Sequence, residues 1–386
     1  MTTIYLIRHA QADGNLYRRC QGWYNGLITP KGYLQIQALS RRFQEIEIHA
    51  VYSSDLFRTM TTARAILHSR ALSLRVDPEL REIGGGCWED HAWGELIHQD
   101  PAGMAAFLNC DPGWHVTGSE TYPHVRARMQ AAVERIAAAH PGQTVAVFSH
   151  GSAIRAGLSA WLDTPAEHMG ELPLGDNTSV AKLEYDGGQM RVCYYHDASH
   201  LGDLAGAVLH ASSSGAEKVA AMARTSLYFV PLRLPDQKEL YLAARREGWM
   251  ASHGTMDCFD GDAFLSAAQR SYDFDPESVL IAMCQDRPVG MLHLDFQQQA
   301  QQRVGRVPFF YMMPEYRSKG LGVQLLGQAV SAFRARGRQY LRLRCAPEND
   351  RAKKFYQRHG FYKIGEEPGG IGHLDTMEKY IGYVLG

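Results

Sequence analysis

The stretch Thr3-Ile4-Tyr5-Leu6-Ile7-Arg8-His9-Ala10-Gln11-Ala12-Asp13-Gly14-Asn15 sets the architecture of the N-terminal half. An apolar, β-branched run of strand length stops at an Arg-His pair and gives way to small and polar residues, the pattern of a buried strand ending at its carboxyl edge. In open α/β sheets that edge is where ligands bind. The construction returns at Thr144-Val145-Ala146-Val147-Phe148, which ends in Ser149-His150-Gly151. If the two strands lie parallel and close, two histidines and an arginine share one crevice, a set suited to a phosphoryl group.

Between these strands the pattern alternates helix and strand. Thr29-Pro30 supplies an N-cap and first-turn proline. Ala50 to Ser54 predicts a short buried strand, followed by a helix from about Asp55 with Arg58 in its first turn, where backbone N–H groups and a guanidinium both favour an anion. Residues 73–77 predict another strand, and a helix is expected from about His124 to Ala139. Between Ile83 and Val125 there is no Lys or Arg, while Trp88, Trp93, Phe107 and Trp114 alternate with acids. These rings could pack a lid or stack on a ligand. Val180 to Tyr195, broken at Asp186-Gly187-Gly188, predicts a hairpin at a sheet edge.

With 386 residues, two domains are expected. Residues 206–224, which include Ser212-Ser213-Ser214-Gly215, are the expected linker between a domain over 1–205 and another over 225–386. In the second, strands are expected at Leu227 to Leu232, Val279 to Gln285, Val289 to Phe296, Val304 to Met312 and Tyr340 to Arg344. Helices are expected from Asp236, up to Arg336, and from Arg351 to His359.

Charge is balanced, with 40 Lys+Arg against 41 Asp+Glu, which argues against nucleic acid or a membrane surface as partner and for small molecules. The basic run Arg334, Arg336, Arg338, Arg342, Arg344 is read as a solvated face attracted to phosphates rather than an RNA site. Seven scattered cysteines without a C-x-x-C pair argue against a disulfide framework or a zinc site and fit a reducing cytoplasm. No leader and no apolar run near the roughly 18 residues of a membrane span is visible.

Phosphate monoester hydrolysis needs a cradle for the oxygens, a nucleophile, and an acid for the leaving alkoxide. Arg8, His9, Arg58, Glu82 and His150 supply these groups. Here the first ~200 residues resemble the histidine phosphatase superfamily, with its phosphoglycerate-mutase-like, three-layer α/β/α fold and mostly parallel sheet. The resemblance rests on ordered matches: Arg8-His9 with Asn15; Gln21-Gly22-Trp23; Leu27 with Thr29-Pro30 and Gly32; Ser53-Ser54-Asp55-Leu56 with Arg58 and Thr62-Ala63; Leu80-Arg81-Glu82 with Trp88-Glu89; and Ser149-His150-Gly151. It implies that His9 is the phosphorylated nucleophile and Glu82 the proton donor. Arg8, Asn15, Arg58 and His150 would form the phosphate pocket, with Gln21, Gly22 and Gly151 as further substrate contacts, and no metal. Ala10 and Gln11 depart from the family's usual glycine and acid. Because the insert lacks basic residues, a phosphatase for a neutral or aromatic leaving group, of the α-ribazole-phosphatase type, is expected over a phosphoglycerate-mutase-type phosphotransferase. A non-catalytic ligand sensor is the alternative of a different class.

In the second domain, Arg317-x-x-Gly320-x-Gly322 between a strand and a helix suits a pyrophosphate. With Asn349-x-x-Ala352-x-x-Phe355-Tyr356 and His359-Gly360-Phe361 it resembles GNAT-type acyl-CoA N-acetyltransferases, an α/β fold. The resemblance implies acetyl-CoA along Met312 and Met313, its pyrophosphate on Arg317, Ser318, Lys319, Gly320, Leu321 and Gly322, with Asn349 beside it. Tyr356 would protonate the thiolate; the base for the acceptor, a small-molecule or peptide amine, is not identified. Ser252-His253-Gly254 is read as a chance repeat of the earlier tripeptide. A bifunctional cytoplasmic enzyme is expected, with homo-oligomerisation open.

Overall fold

In the computed structural model, which describes residues 1–205 and 214–382, the opening apolar run is strand β1, Thr2–Arg8. Helices α1 (Asp13–Tyr17) and α2 (Pro30–Arg42), strand β2 (Ala50–Ser53), helix α3 (Phe57–Leu67) and strand β3 (Leu74–Val76) follow. Thr29 caps α2 as expected, its hydroxyl accepting from the Gly32 N–H at 3.0 Å. The insert holds α4 (Trp93–Gln99) and α5 (Pro101–Leu108), and then come α6 (Tyr122–Ala138), β4 (Thr144–Ser149), α7 (Gly151–Trp161) and the hairpin β5 (Val180–Asp186) and β6 (Gln189–Asp197).

These strands form a six-stranded sheet in the order β3-β2-β4-β1-β5-β6. The pairs β1/β4, β2/β4 and β2/β3 are parallel, while β1/β5 and β5/β6 are antiparallel. Burial on both faces explains why β1 and β4 read as near-continuous apolar runs. Ile7, Val51, Ala146 and Phe148 pack with Leu39 of α2 and Ile66 of α3 in one cluster. The alternate residues Ile4, Leu6, Val145 and Val147 are equally buried and turn toward the α6 and α7 layer.

The chain divides into two units, Met1–His91 with Leu96–Ala221 and Ala92–Glu95 with Met222–Gly386. Part of the expected linker, 206–213, lies outside the described residues, and most of the rest is helical. Gly215–Ala223 is a helix, α8, opened by a capping box in which Ser214 Oγ accepts from Glu217 N at 3.3 Å and Glu217 Oε2 accepts from Ser214 N at 2.7 Å. The next elements are β7 (Tyr228–Pro231), α9 (Lys238–His253), α10 (Gly261–Phe274), β8 (Val279–Cys284), β9 (Arg287–Asp295) and β10 (Val304–Met312). After them come α11 (Gly322–Ala335), β11 (Tyr340–Cys345), α12 (Asp350–Arg358), β12 (Tyr362–Pro368) and β13 (His373–Tyr380). Helix α10 and the β12/β13 pair were not anticipated from sequence.

The second sheet runs β12-β13-β11-β10-β9-β8-β7. Its single parallel pair, β10/β11, is registered from Val304↔Tyr340 to Val307↔Leu343. Beyond Val307, β10 continues to Met312 while pairing with β9 on its other side. Ser252-His253-Gly254 is the end of α9, with Gly254 at φ 70° as its left-handed cap. Among the described residues no helix is long and apolar enough to cross a membrane, and no group of three or more His, Cys, Asp or Glu is arranged to hold a metal ion.

Candidate functional site

The parallel register Arg8↔Ser149 carries the chain just beyond each strand end to His9 and His150, whose ring centroids are 5.2 Å apart. The His9 carbonyl accepts from Asn177 Nδ2 at 3.0 Å and from Thr178 N at 3.2 Å, and the His9 N–H donates to Ser149 at 3.0 Å. The imidazole is therefore fixed from its backbone outward. Its Nδ1 lies 2.7 Å from the Ala10 carbonyl oxygen, a partner that can only accept, so Nδ1 carries the proton and Nε2 keeps its lone pair. Burial, then the charges of Arg58 and Arg8, hold the pKa of His9 well below 6.5. A neutral imidazole with one free lone pair is what attack on phosphorus requires.

Arg58 sits at the start of α3 and is wholly buried. Its Nη2 donates to Gly22 O at 2.7 Å, Nη1 to Tyr24 O at 3.0 Å and Nε to His150 Nδ1 at 3.1 Å. Burial lowers its pKa to about 10, with Glu82 and Glu89 opposing, so it stays charged at neutral pH. Gly22 can make that contact because it adopts φ 48°, and a Cβ there would stand 2.7 Å from Gly85 N. His150 is also buried and held well below 6.5, first by burial and then by Arg58. Its Nε2 lies 2.7 Å from Ser54 Oγ, so both ring nitrogens are engaged. Gly151 begins α7, and a Cβ on it would lie 3.3 Å from Arg8 Cζ; glycine here makes room for the guanidinium.

Glu82 is seated at the N-terminus of α7: Oε1 accepts from Ala153 N at 2.8 Å and Ile83 N at 3.0 Å, and Oε2 accepts from Ser152 N at 3.2 Å. Arg128 of α6, which sequence reading passed over, holds the chain around it. Its guanidinium donates to the carbonyls of Glu79, Arg81 and Glu82 at 2.6, 2.8 and 2.9 Å and forks onto Glu120, both bonds at 2.8 Å. Burial raises the pKa of Glu120, but Arg128 and the Gly84 N–H outweigh it and hold the carboxyl below its usual range. An arginine at a buried helical register, with Val125 and Ala132 on the same face, was the available signal.

The remaining expected contacts are mixed. Asn15 Oδ1 accepts from Ala12 N at 3.0 Å and faces Asn177 Nδ2 at 3.5 Å. Gln21 Oε1 is buried without a hydrogen-bond partner. Trp88 and Trp114 are buried against Phe107 and Tyr122, with centroids of the two indoles 5.4 Å apart, so these tryptophans form the core of the insert. The exposed indole is Trp23, whose Nε1 donates to Glu82 O at 2.8 Å.

In the second unit, Met312 ends β10 and Met313 follows it, and Ser318 and Gly320 take φ of 61° and 75° before α11. Such an alternation turns successive N–H groups into an anion-binding concavity. Arg317 itself turns inward: Nε donates to Met312 O at 2.8 Å and Nη2 bonds Glu247 of α9. Glu247, not foreseen from sequence, also bonds the hydroxyl of Tyr311, whose pKa burial and that bond raise. Asn349 is the N-cap of α12, accepting from Ala352 N at 3.0 Å. Tyr356 is buried beside Phe310, Phe355 and Phe361, and burial pushes its phenol up, keeping the proton on.

The family model of the histidine phosphatase superfamily (branch 1) matches residues 4–198, and that of the acetyltransferase (GNAT) family matches residues 243–361. "Probable phosphoglycerate mutase GpmB" of Proteus mirabilis is 30% identical over 210 residues, 53% of this chain and 97% of that protein. The protein of the same name from Yersinia pestis is 30% identical over 185 residues, 48% of this chain and 86% of that one. Among solved structures, Bacillus stearothermophilus YhfR is 33% identical with a TM-score of 0.51, covering 52% of this chain and 100% of that chain. The buried His9 and His150, with Arg8 beside them, thus stand in a chain that belongs to the histidine phosphatase superfamily, branch 1, and that carries a GNAT acetyltransferase domain after it.

Proposed function

We propose that the N-terminal unit hydrolyses phosphate monoesters through a phosphohistidine on His9, and that the C-terminal unit transfers an acetyl group from acetyl-CoA to an amine. The observation that carries the first reading is the Nδ1–H of His9 bound to Ala10 O, which leaves Nε2 as nucleophile between Arg8 and Arg58. Nε2 forms a bond to phosphorus as the ester oxygen leaves; the alkoxide takes a proton from Glu82, and the resulting carboxylate then draws one from the water that cleaves the P–N bond. Arg8 and Arg58 balance the charge of the transferring oxygens. The two reactions would serve a small phosphate ester and a small-molecule or peptide amine. Brief incubation with a ³²P-labelled aryl phosphate and quenching in alkali is expected to leave label on His9, stable in base and lost in acid; label on a carboxylate or hydroxyl would overturn the reading.

The name of the curated relatives favours a second reading, phosphotransfer of the phosphoglycerate-mutase type. It differs in requiring a bisphosphate to load His9, so activity without any bisphosphate decides for hydrolysis.

For the second unit, the φ alternation at Ser318 and Gly320 and the end of β10/β11 pairing at Val307 fit a pyrophosphate and a pantetheine arm. Acetyl-CoA, when bound, supplies the thioester. Tyr356 would donate the proton to the departing sulfur, and Glu247, beside Tyr311 and Arg317, would take the proton of the amine. Glu247→Gln is expected to lower acetyl transfer by about 10²-fold or more while acetyl-CoA still binds, read by thiol release and calorimetry.

A further inference from the structure

Three buried side-chain nitrogens without hydrogen-bond partners, Arg8 Nε, Arg155 Nε and His196 Nδ1, belong to neighbouring side chains beside the phosphoryl site. The neighbourhood follows from the backbone. Gly151 stands against the Arg8 guanidinium, and Arg155, four residues on along α7, occupies the same helix face. Gly175 accepts from Arg8 Nη1 at its carbonyl, and a Cβ on it would lie 2.6 Å from His196 Cδ2. Arg8 and His196 therefore flank one glycine.

Arg155 is over nine-tenths buried, and its Nη1 donates to a thiol, Cys110 Sγ, at 3.1 Å, a weak acceptor for a guanidinium. His196 is held at φ 57°, left-handed for a non-glycine residue within β6, where the β5/β6 register slips. That conformation turns the ring onto Gly175 instead of along the strand. Glu82 and Asp176 act on Arg8, whereas the charges acting on His196 are Arg155 and Arg8. Buried, unpaired N–H groups of arginine are costly unless an anion completes them.

We propose that Arg155 and His196, continuing the row of donors from Arg8, form a second anion subsite that takes a carboxylate or phosphate borne by the leaving group of the phosphate ester. The inference rests on the phosphatase reading of His9, and it replaces the expected neutral or aromatic leaving group with an anionic one. The insert between Ile83 and Val125 carries no Lys or Arg, and α7 and β6 supply these groups from outside it.

Calorimetry on the His9→Ala chain, which binds without turning over, tests the subsite with matched ligands. 3-Phosphoglycerate against glycerol 3-phosphate isolates a carboxylate; fructose 1,6-bisphosphate against fructose 6-phosphate isolates a second phosphate. In at least one pair the doubly anionic member is expected to bind about 10- to 100-fold tighter, the worth of one or two charge-assisted bonds. Arg155→Gln is expected to bring that ratio within about twofold, and Arg155→Lys, which keeps the charge but not the fork, to leave it intermediate. A ratio near one in both pairs, no binding of any member, or a preference that survives Arg155→Gln overturns the subsite. Turnover by the unsubstituted chain separates the two readings: preferential binding without phosphate release sinks the phosphatase and keeps the subsite, while release without preference does the reverse.

Discussion

Replacing His9 by alanine is expected to lower phosphate release from any monoester by about 10⁴- to 10⁶-fold, because it removes the covalent route instead of weakening one contact of it. Binding is expected to survive. Arg8 and Arg58 reach their positions through Gly175, Gly22, Tyr24 and His150, none of which depends on the His9 ring. Inorganic phosphate should therefore bind the His9→Ala chain within about tenfold of the unsubstituted one, as two of the charged contributors remain. A chain that loses turnover and phosphate affinity together would place His9 in the cradle rather than at the reacting bond. The same burial and paired arginines that depress the pKa of His9 have a consequence for pH. The nucleophile stays unprotonated as pH falls through 6.5, so the acid limb of kcat/KM for this group is expected well below that value; a limb at 6.5, unchanged with a substrate of different phosphate pKa, would contradict the electrostatics described above.

What was legible in the sequence follows from how far apart the interacting residues are. Strands β1 and β4 are buried on both faces, so their apolar runs, and the Arg8-His9 and Ser149-His150 breaks that end them, could be read directly. Thr29-Pro30 is a local device and was read correctly for the same reason. Helix α8 is equally local, with Ser214 and Glu217 three residues apart, but the serine run before it has the composition of a linker and masks the capping box. Helix α10 opens with Asp260, which caps Ala263 N at 2.8 Å; Asp-Gly reads as a turn unless the amphipathic run after it is counted.

The support around the candidate site residues is of another kind. Arg128 reaches backbone carbonyls 46 to 49 residues away, and Glu247 meets Arg317 across 70 residues. Carbonyl acceptors carry no residue signature, so no pattern in the chain marks them. The tryptophans of the insert are ambiguous in sequence, since the same spacing serves packing or ligand stacking. The structure takes the first course for two of them: Trp88 and Trp114 pack on Phe107 and Tyr122. Arg155 and His196 come together only once α7 and β6 are placed beside Gly175. A search for basic residues confined to the insert could not have found them.

Glu82→Gln is expected to separate the two steps of the reaction. The side chain keeps its size, and its oxygen can still accept from Ala153 N, but the new amide would face Ser152 N, donor against donor. That costs about 1 to 3 kcal/mol of stability, to be read as a lower Tm. The backbone stays in place, since Arg128 and the Trp23 indole hold the Glu82 carbonyl independently of its carboxylate. What is lost is the proton. An alkyl leaving group needs it, so formation of the phosphoenzyme from an alkyl phosphate should slow by about 10²- to 10⁴-fold. A nitrophenolate leaves without it, so the first turnover of an aryl phosphate should proceed nearly unimpaired. The second step, with no carboxylate to activate water, then stalls. Rapid mixing of the Glu82→Gln chain with 4-nitrophenyl phosphate is therefore expected to show a burst of nitrophenolate equal to the concentration of protein, followed by a slow steady rate. Equal loss in the first turnover for aryl and alkyl esters would mean that Glu82 serves the site as the cap of α7 and not as its acid, and the proton would have to come from elsewhere.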